Sequence, residues 1–472
     1  MNFQSLDYVL FLPIALAGYW LLRSRDTARL GWIFAISCLF YMAWNAAYIA
    51  LMLGTISLDF VLGRLLATTE DPRRRRALLW CSVVSNVGAL GVFKYFDFFA
   101  GAIADGLAQV GLAVAPTTLG LALPVGISFY TFQTLAYTID VYRRRMPAES
   151  NWLRYVAFVT FFPQLVAGPI VRASELLPQL MKRPTVTRTL VGQGLFVIAT
   201  GMVKKIGVAD YLAVNFVDRV FDDPSAYTST EVMLALYGYT LQIYCDFSGY
   251  TDVARGSGML FGLTLPENFD RPYQASNPAE FWRRWHMTLS SWLRDYLYFP
   301  LGGSKVSPAR AYFNLWITLF LIGLWHGAAW TFVIYGILHA TVMVGHRFVS
   351  RNTPRKPDGD TMRSRVIKVV ATLHFVVLSR VFFRATDLGN ARDVLERLAA
   401  GDVGYGHMVT SVWCLLGIGY VAHYLPRDWY ERAQTAFVKL PAPAQGLALA
   451  GLGGALLQVV SADVVPYIYL QF

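Results

Sequence analysis

Charged side chains are scarce in this chain. Asp, Glu, Lys and Arg make up 15% of its 472 residues, against a hydrophobic share of 55%, where a soluble domain carries about 25% charged residues. The mean hydropathy of +0.42 likewise excludes an ordinary water-soluble enzyme. Cysteine is rarer still. Cys38, Cys81, Cys245 and Cys414 lie in apolar runs without paired spacing, so they read as small buried hydrophobes rather than disulfides or thiolate metal ligands. No CxxC, HExxH, P-loop or GxGxxG occurs, and neither a metal site nor a tightly bound cofactor is signalled. A Gly-x-Ser-x-Gly elbow and a convincing Cys–His pair are missing too, which argues against an acyl-enzyme on serine or cysteine. The apolar runs lack the alternation of barrel strands.

What is there is a series of apolar runs separated by short charged loops. The pattern predicts an all-α polytopic membrane protein: roughly eleven transmembrane helices at ~20 residues each, with re-entrant and interfacial helices besides. No soluble domain, repeat or low-complexity linker interrupts it, so residues 1–472 read as a single integrated membrane domain. The net charge of +11 comes from clusters at residues 23–29, 73–76, 143–145, 182–188, 204–205 and 351–356. Clusters bracketing apolar spans are what the positive-inside rule produces, and no nucleic-acid partner is implied. The first run, residues 6–22, has positive charge after it and none before. This predicts a retained first span with an extracytoplasmic N-terminus. Spans over 30–48 and 49–67, turning near Trp44-Asn45, return the chain to the same side.

Several stretches resist reading as regular spans. Residues 97–141 are rich in Gly, Ala and Pro, and residues 124–133 carry polar Ser128, Thr131 and Gln133 with Thr134 just beyond, which predicts a face turned to protein or water. Residues 155–171 contain Pro163 and Gly168-Pro169, predicting a broken or re-entrant element.

Chemistry concentrates between Phe281 and His346. Over residues 282–296 a helical projection gathers Trp282, Trp285, Leu289, Trp292, Leu293 and Tyr296 on one arc and Arg283, Arg284, Ser291, Arg294 and Asp295 opposite. That predicts an amphipathic helix at the interface; an anchor alone explains every residue except His286, at the edge of the apolar arc. Residues 311–346 hold no formally charged residue. As one helix they would extend ~54 Å, against a ~30 Å hydrocarbon core. A break is expected near His326, between Gly323 and Gly327 of a GxxxG, placing that imidazole inside the protein. An intramembrane ionisable residue is a functional candidate; the bland alternative is a neutral histidine bonded to a carbonyl. A bis-histidine haem from His326 and His339 would need a matching pair on another helix, which His374, His407 and His423 do not supply. A histidine can take the proton of an attacking hydroxyl near neutral pH, and a second can orient it or stabilise an oxyanion. A third polar stretch, residues 244–252, sets Asp246, Ser248, Tyr250 and Asp252 at the end of an apolar run, either as a solvated span end or as a polar cavity wall.

These blocks resemble a known family. Phe-Trp-Arg-Arg-Trp-His-Met-Thr-Leu-Ser (281–290), Trp-Leu-Arg-Asp-Tyr-Leu-Tyr (292–298) and Leu-Trp-His-Gly-Ala (324–328) are similar to motifs of the membrane-bound O-acyltransferase (MBOAT) family, in the branch of the alginate O-acetyltransferase membrane protein. The segments at 124–133, 162–172, 246–252 and 382–385 look like further blocks, whereas the closing Tyr-Leu-Gln-Phe (469–472) is a loose match. The resemblance implies a helical fold around a central channel in a bacterial inner membrane, with His326 as catalytic residue and His286 as its active-site partner. Trp285, Trp325, Asp246, Ser248, Tyr250 and Arg284 are expected to line the substrate path. It further implies an acyl thioester donor, acetyl-CoA, and a periplasmic O-acetyltransferase partner or polysaccharide acceptor. The alternatives are acyl-carrier-protein-dependent transfer, as in teichoic-acid D-alanylation, and a non-catalytic acyl or glycan exporter.

Overall fold

The computed structural model describes residues 2–353, 361–459 and 467–468, and every regular element among them is helical. Residues 354–356 of the last basic cluster and the closing 469–472 lie outside the described residues. The chain groups into two compact units, Met1–Leu195 with Ala254–Pro266, and Phe196–Val253 with Glu267–Phe472.

The first unit opens with α1 (Leu6–Leu21) and α2 (Asp26–Met42). Asn45 turns the chain by accepting the Ala47 N–H at 2.9 Å, and α3 (Ile49–Thr68) follows, with the turn where it was expected. Asp71 caps α4 (Pro72–Leu90), whose Pro72 needs no N–H partner at the first turn. A π-helical turn, Gly91–Tyr95, carries α4 into α5 (Phe96–Gln109). The irregular stretch expected from residue 97 therefore begins later, because alanines sustain the helix to Gln109. Then α6 (Ile127–Tyr142) starts beyond Gly126, which holds a left-handed φ of 72°. Its Ser128, Thr131, Gln133 and Thr134 are all buried. The segment at 155–171 is broken as its prolines demand: α7 (Trp152–Thr160), a non-helical Phe161, then the one-turn α8 (Phe162–Leu165). Next comes α9 (Ala173–Leu180).

After α10 (Arg188–Met202), π-helical turns at Val203–Asp210 and Ala213–Val217 lead into α11 (Asp218–Asp222). One 32-residue helix follows, α12 (Ser229–Leu260). Gly201 and Gly249 make a close helix crossing possible: a Cβ on Gly201 would stand 2.6 Å from the Gly249 carbonyl oxygen.

In the rest of the second unit, α13 (Pro278–Arg284) and α14 (Met287–Leu293) precede α15 (Pro308–His326) and α16 (Trp330–Asn352). Then come α17 (Met362–Arg384), α18 (Leu388–Ala399), α19 (Thr410–Tyr424), α20 (Arg427–Lys439) and α21 (Ala442–Leu457). The long apolar run breaks at His326, as its length required. Gly323 and Gly327 do not act as one GxxxG face, however. Gly323 meets the facing helix, where a Cβ would come within 2.4 Å of Gly336 Cα, while Gly327 lies beyond α15 in extended backbone. Four described helices are long and apolar enough to cross a bilayer: Ala46–Thr68, Pro72–Gln109, Trp330–Asn352 and Met362–Arg384. Leu6–Leu21 and Ala442–Leu457 are shorter apolar helices.

Candidate active site

The expected continuous helix over 282–296 does not form. Asn277 caps α13 by accepting the Glu280 N–H at 2.9 Å, and Glu280 accepts the Ser276 N–H in return at 2.9 Å. The helix ends at Arg284 because the preceding loop competes for its hydrogen bonds. Asp270 N–H donates to the Arg284 carbonyl at 2.9 Å, and Met287 N–H donates to the Asn268 carbonyl at 2.9 Å. Trp285 is thereby extended, and His286 is held left-handed at φ 43°, ψ 57°. For a residue with a Cβ this is a strained conformation, of a kind concentrated at functional sites. Periodicity cannot detect the break, since it comes from a partner segment 14 to 20 residues away.

Asn268 also sets the imidazole. Its Oδ1 accepts the Thr288 N–H at 3.1 Å and the Thr288 hydroxyl at 2.9 Å. The atom facing His286 Nδ1 at 3.1 Å is therefore an acceptor, and Nδ1 donates to it. In neutral His286 the proton sits on Nδ1 and the lone pair on Nε2, the arrangement a proton acceptor needs.

His286 is fully buried and His326 nearly so, at 0% and 2% exposure. The two lie 326 − 286 = 40 residues apart in sequence, yet both pack on Trp325, with ring centroids at 5.7 Å for His286 and 5.1 Å for His326. Phe247 of α12 meets His286 edge-on at 4.7 Å. Phe383 of α17 and Tyr335 of α16 meet His326 at 5.0 and 6.1 Å. Trp285, 1% exposed, stacks on Phe281 at 5.8 Å.

The remaining expected site residues lie on α12 and α13. Asp246 is not at a span end; it lies within α12, 2% exposed. Its carboxylate pairs with Lys205 at 2.6 Å and accepts the Ile468 N–H at 2.8 Å. Asp210 pairs with the same lysine at 2.7 Å, and Asp252 pairs with Lys204 at 2.6 Å. The basic pair at 204–205 is thus not a loop cluster; it neutralises acids of α12, which the sequence could not show because the partners lie some 40 residues on. Ser248 is buried beside Tyr244, and Tyr250 packs on Tyr467 at 4.7 Å. Arg284 braces the helix break, with ion pairs to Glu280 at 2.8 Å and Asp270 at 3.4 Å.

Sequence reasoning passed over Asn268, Tyr335 and Arg380, and weighed His339 only as a haem ligand. His339 stands 4.4 Å from Tyr335 and hydrogen-bonds Ser379 at 3.1 Å. Its uncharged run and its spacing of 13 from His326 were visible, but nothing local marked it as part of the same aromatic bed. Asn268 sits in a polar loop with no periodic signal.

Buried histidines bedded in aromatic rings, and described helices long and apolar enough to cross a bilayer, define a helical membrane protein. The chain belongs to the MBOAT, membrane-bound O-acyltransferase family, whose model matches residues 24–385. It is an O-acyltransferase. It is 36% identical over 417 residues to the peptidoglycan O-acetyltransferase of Helicobacter pylori, covering 82% of this chain and 77% of that one. It is 34% identical over 458 residues to the probable alginate O-acetylase AlgI of Azotobacter vinelandii, covering 94% and 88%. The teichoic acid D-alanyltransferase of Bacillus subtilis is 29% identical over 272 residues, 55% of this chain and 68% of that one.

Proposed function

We propose that the chain, acting as one integrated unit, moves an acetyl group from a cytoplasmic thioester, acetyl-CoA, to a hydroxyl of an extracytoplasmic polysaccharide such as alginate, directly or through a periplasmic partner. The observation that carries this reading is the convergence of His286 and His326 on Trp325, in a chain related to peptidoglycan and alginate O-acetylating proteins. In the proposed reaction the hydroxyl oxygen attacks the thioester carbonyl carbon while its proton passes to His326, the general base. His286, its Nε2 lone pair set by Asn268, is the partner that orients the hydroxyl or relays the proton. Collapse re-forms the carbonyl, breaks the C–S bond and returns the proton to the thiolate, giving ester and free thiol. The setting is a bacterial inner membrane with the N-terminus outside. Roughly eleven crossings are expected from the ~20 residues each requires, with shorter and broken helices adding to the four long ones around a channel. A histidine reached from both faces lets the acyl group cross without its carrier.

Purified full-length protein in lipid nanodiscs, given radiolabelled acetyl-CoA and a candidate glycan, is expected to release free thiol and acetylate the glycan. His326→Ala should lower turnover by about 10²–10⁴-fold, the range for losing a positioned base, with its thermal midpoint unchanged. Undiminished turnover in that variant would sink the assignment. The partial match to a teichoic acid D-alanyltransferase favours a second reading, in which the thioester is on an acyl-carrier protein; turnover with an acylated carrier but not with acetyl-CoA would select it. Glycan movement without thiol release would instead mark an exporter.

A further inference from the structure

Arg380 of α17 has no exposed surface, and burying a guanidinium in apolar surroundings is costly enough to call for a reason. The guanidinium carbon lies 4.9 Å from the Trp285 ring, 5.2 Å from Phe383 and 6.0 Å from Tyr335. It donates to the Tyr335 hydroxyl at 3.4 Å, and Tyr273 lies within range of its charge. The Tyr273 hydroxyl is itself anchored, donating to the Thr240 carbonyl at 2.6 Å. Two of these rings are shared: Phe383 and Tyr335 are also neighbours of His326, at 5.0 and 6.1 Å. The third ring belongs to Trp285, the residue before His286. One aromatic bed therefore holds a fixed planar cation and both imidazoles.

We propose that Arg380 binds the carbonyl oxygen of the acyl thioester and stabilises the negative charge that develops there. This inference rests on the acyl-transfer reading above. When the acceptor hydroxyl forms its C–O bond, the carbonyl π pair moves onto oxygen and the hydroxyl proton goes to the histidine. The oxyanion then faces the guanidinium. As the pair returns, the C–S bond breaks and the thiolate takes the proton back. Arginine suits the task because its N–H donors are fixed in a plane and its charge persists at every working pH. The rings that clamp it hold those donors in place before the reaction, which is the condition for strong oxyanion stabilisation. The competing role is a structural rivet, in which the cation–π contacts only join α17 to its neighbours.

The test uses the full chain in nanodiscs, comparing wild type, Arg380→Lys and Arg380→Ala for kcat, KM for acetyl-CoA and thermal midpoint. Arg380→Lys, which keeps the charge and most of the stem, is expected to lose about 10²–10³-fold in kcat, the range for one oxyanion donor, with little change in KM. Arg380→Ala should regain turnover when guanidinium chloride is added at millimolar concentration, with no change in midpoint. Wild-type kcat in Arg380→Lys would overturn the assignment. So would a midpoint lowered in Arg380→Ala and restored by guanidinium in parallel with turnover, because that pattern belongs to the rivet. Wild-type protein releasing thiol from neither acetyl-CoA nor an acetylated carrier would refute the acyl-transfer reading itself and this inference with it. Loss confined to the Arg380 variants leaves that reading standing.

Discussion

Two buried polar clusters of the second unit, both drawn from blocks that the sequence analysis singled out, are built on opposite principles. Around Lys205, charges answer charges: Asp246 and Asp210 close on the ammonium at 2.6 and 2.7 Å. Around His286 and His326 the neighbours are rings, Trp325, Phe247 and Phe383. Rings fix where an imidazole sits, and the uncharged Asn268 amide that accepts from His286 Nδ1 leaves the Nε2 lone pair for a proton. An ion pair fixes both place and proton, and leaves its members poor candidates for chemistry. The contrast teaches that burial of an ionisable group does not by itself mark a reactive site; the chemical nature of its surroundings does.

Mutations should separate the two clusters. His326→Ala should show the largest effect, about 10²–10⁴-fold in turnover on a protein that melts normally. Asp246→Ala should do the reverse. Removing one member of a buried ion pair costs about 3–5 kcal/mol, and because Asp210 still faces Lys205 at 2.7 Å the loss should fall near the lower end. Denaturation of the purified variant measures it, and wild-type stability would remove the distinction drawn here.

Asn268 tests the imidazole side more finely. A hydrogen bond to a charged group is worth about 1.5–3 kcal/mol, so Asn268→Ala should slow turnover about 10- to 150-fold. Asn268→Asp keeps an acceptor for Nδ1–H and adds a negative charge that favours the imidazolium. The acid limb of its pH–activity profile should therefore move to higher pH; an unmoved profile would show that Asn268 does not act through His286.

Smaller effects probe the scaffold. Gly323→Ala would bring a methyl group within 2.4 Å of Gly336 Cα, an overpacking that costs about 1–3 kcal/mol. Thermal denaturation should register it, with turnover falling as His326 at the end of the same helix shifts. The smallest effect belongs to Asp402, outside the membrane helices. The Ser229 N–H and hydroxyl, with Arg397, hold its carboxyl down to about 2. A depressed carboxylate stabilises the fold above its ordinary value near 4 and loses that contribution as pH falls towards about 2. Asp402→Asn should therefore lower stability slightly at neutral pH, where the contribution is present, and flatten the profile between about pH 4 and about pH 2.

Much of this molecule follows from sequence alone. The scarcity of charge and the length of the apolar runs determined a helical membrane protein, because backbone groups in lipid must bond within their own segment. An uncharged stretch of 36 residues, 311–346, is too long for one crossing; that length required a break, and the glycines flanking His326 placed it. Pro163 and Gly168-Pro169 determined the broken segment before α9 in the same way, since they cannot continue a helix. The tertiary structure decided what depends on partners distant in the chain. Asn268 and Asp270 capture hydrogen bonds from Arg284 and Met287, so a stretch with good helical periodicity splits, and His286 is turned left-handed at the break. Lys204 and Lys205 look like a cytoplasmic loop until Asp252 and Asp246 are found beside them. Arg380 reads as one more arginine near a helix end until Trp285 and Tyr335, distant in the chain, join Phe383 of its own helix around it. Periodicity and composition report each residue's own preference for water or lipid, whereas a site is made by which residues meet. That depends on folding contacts no local window contains.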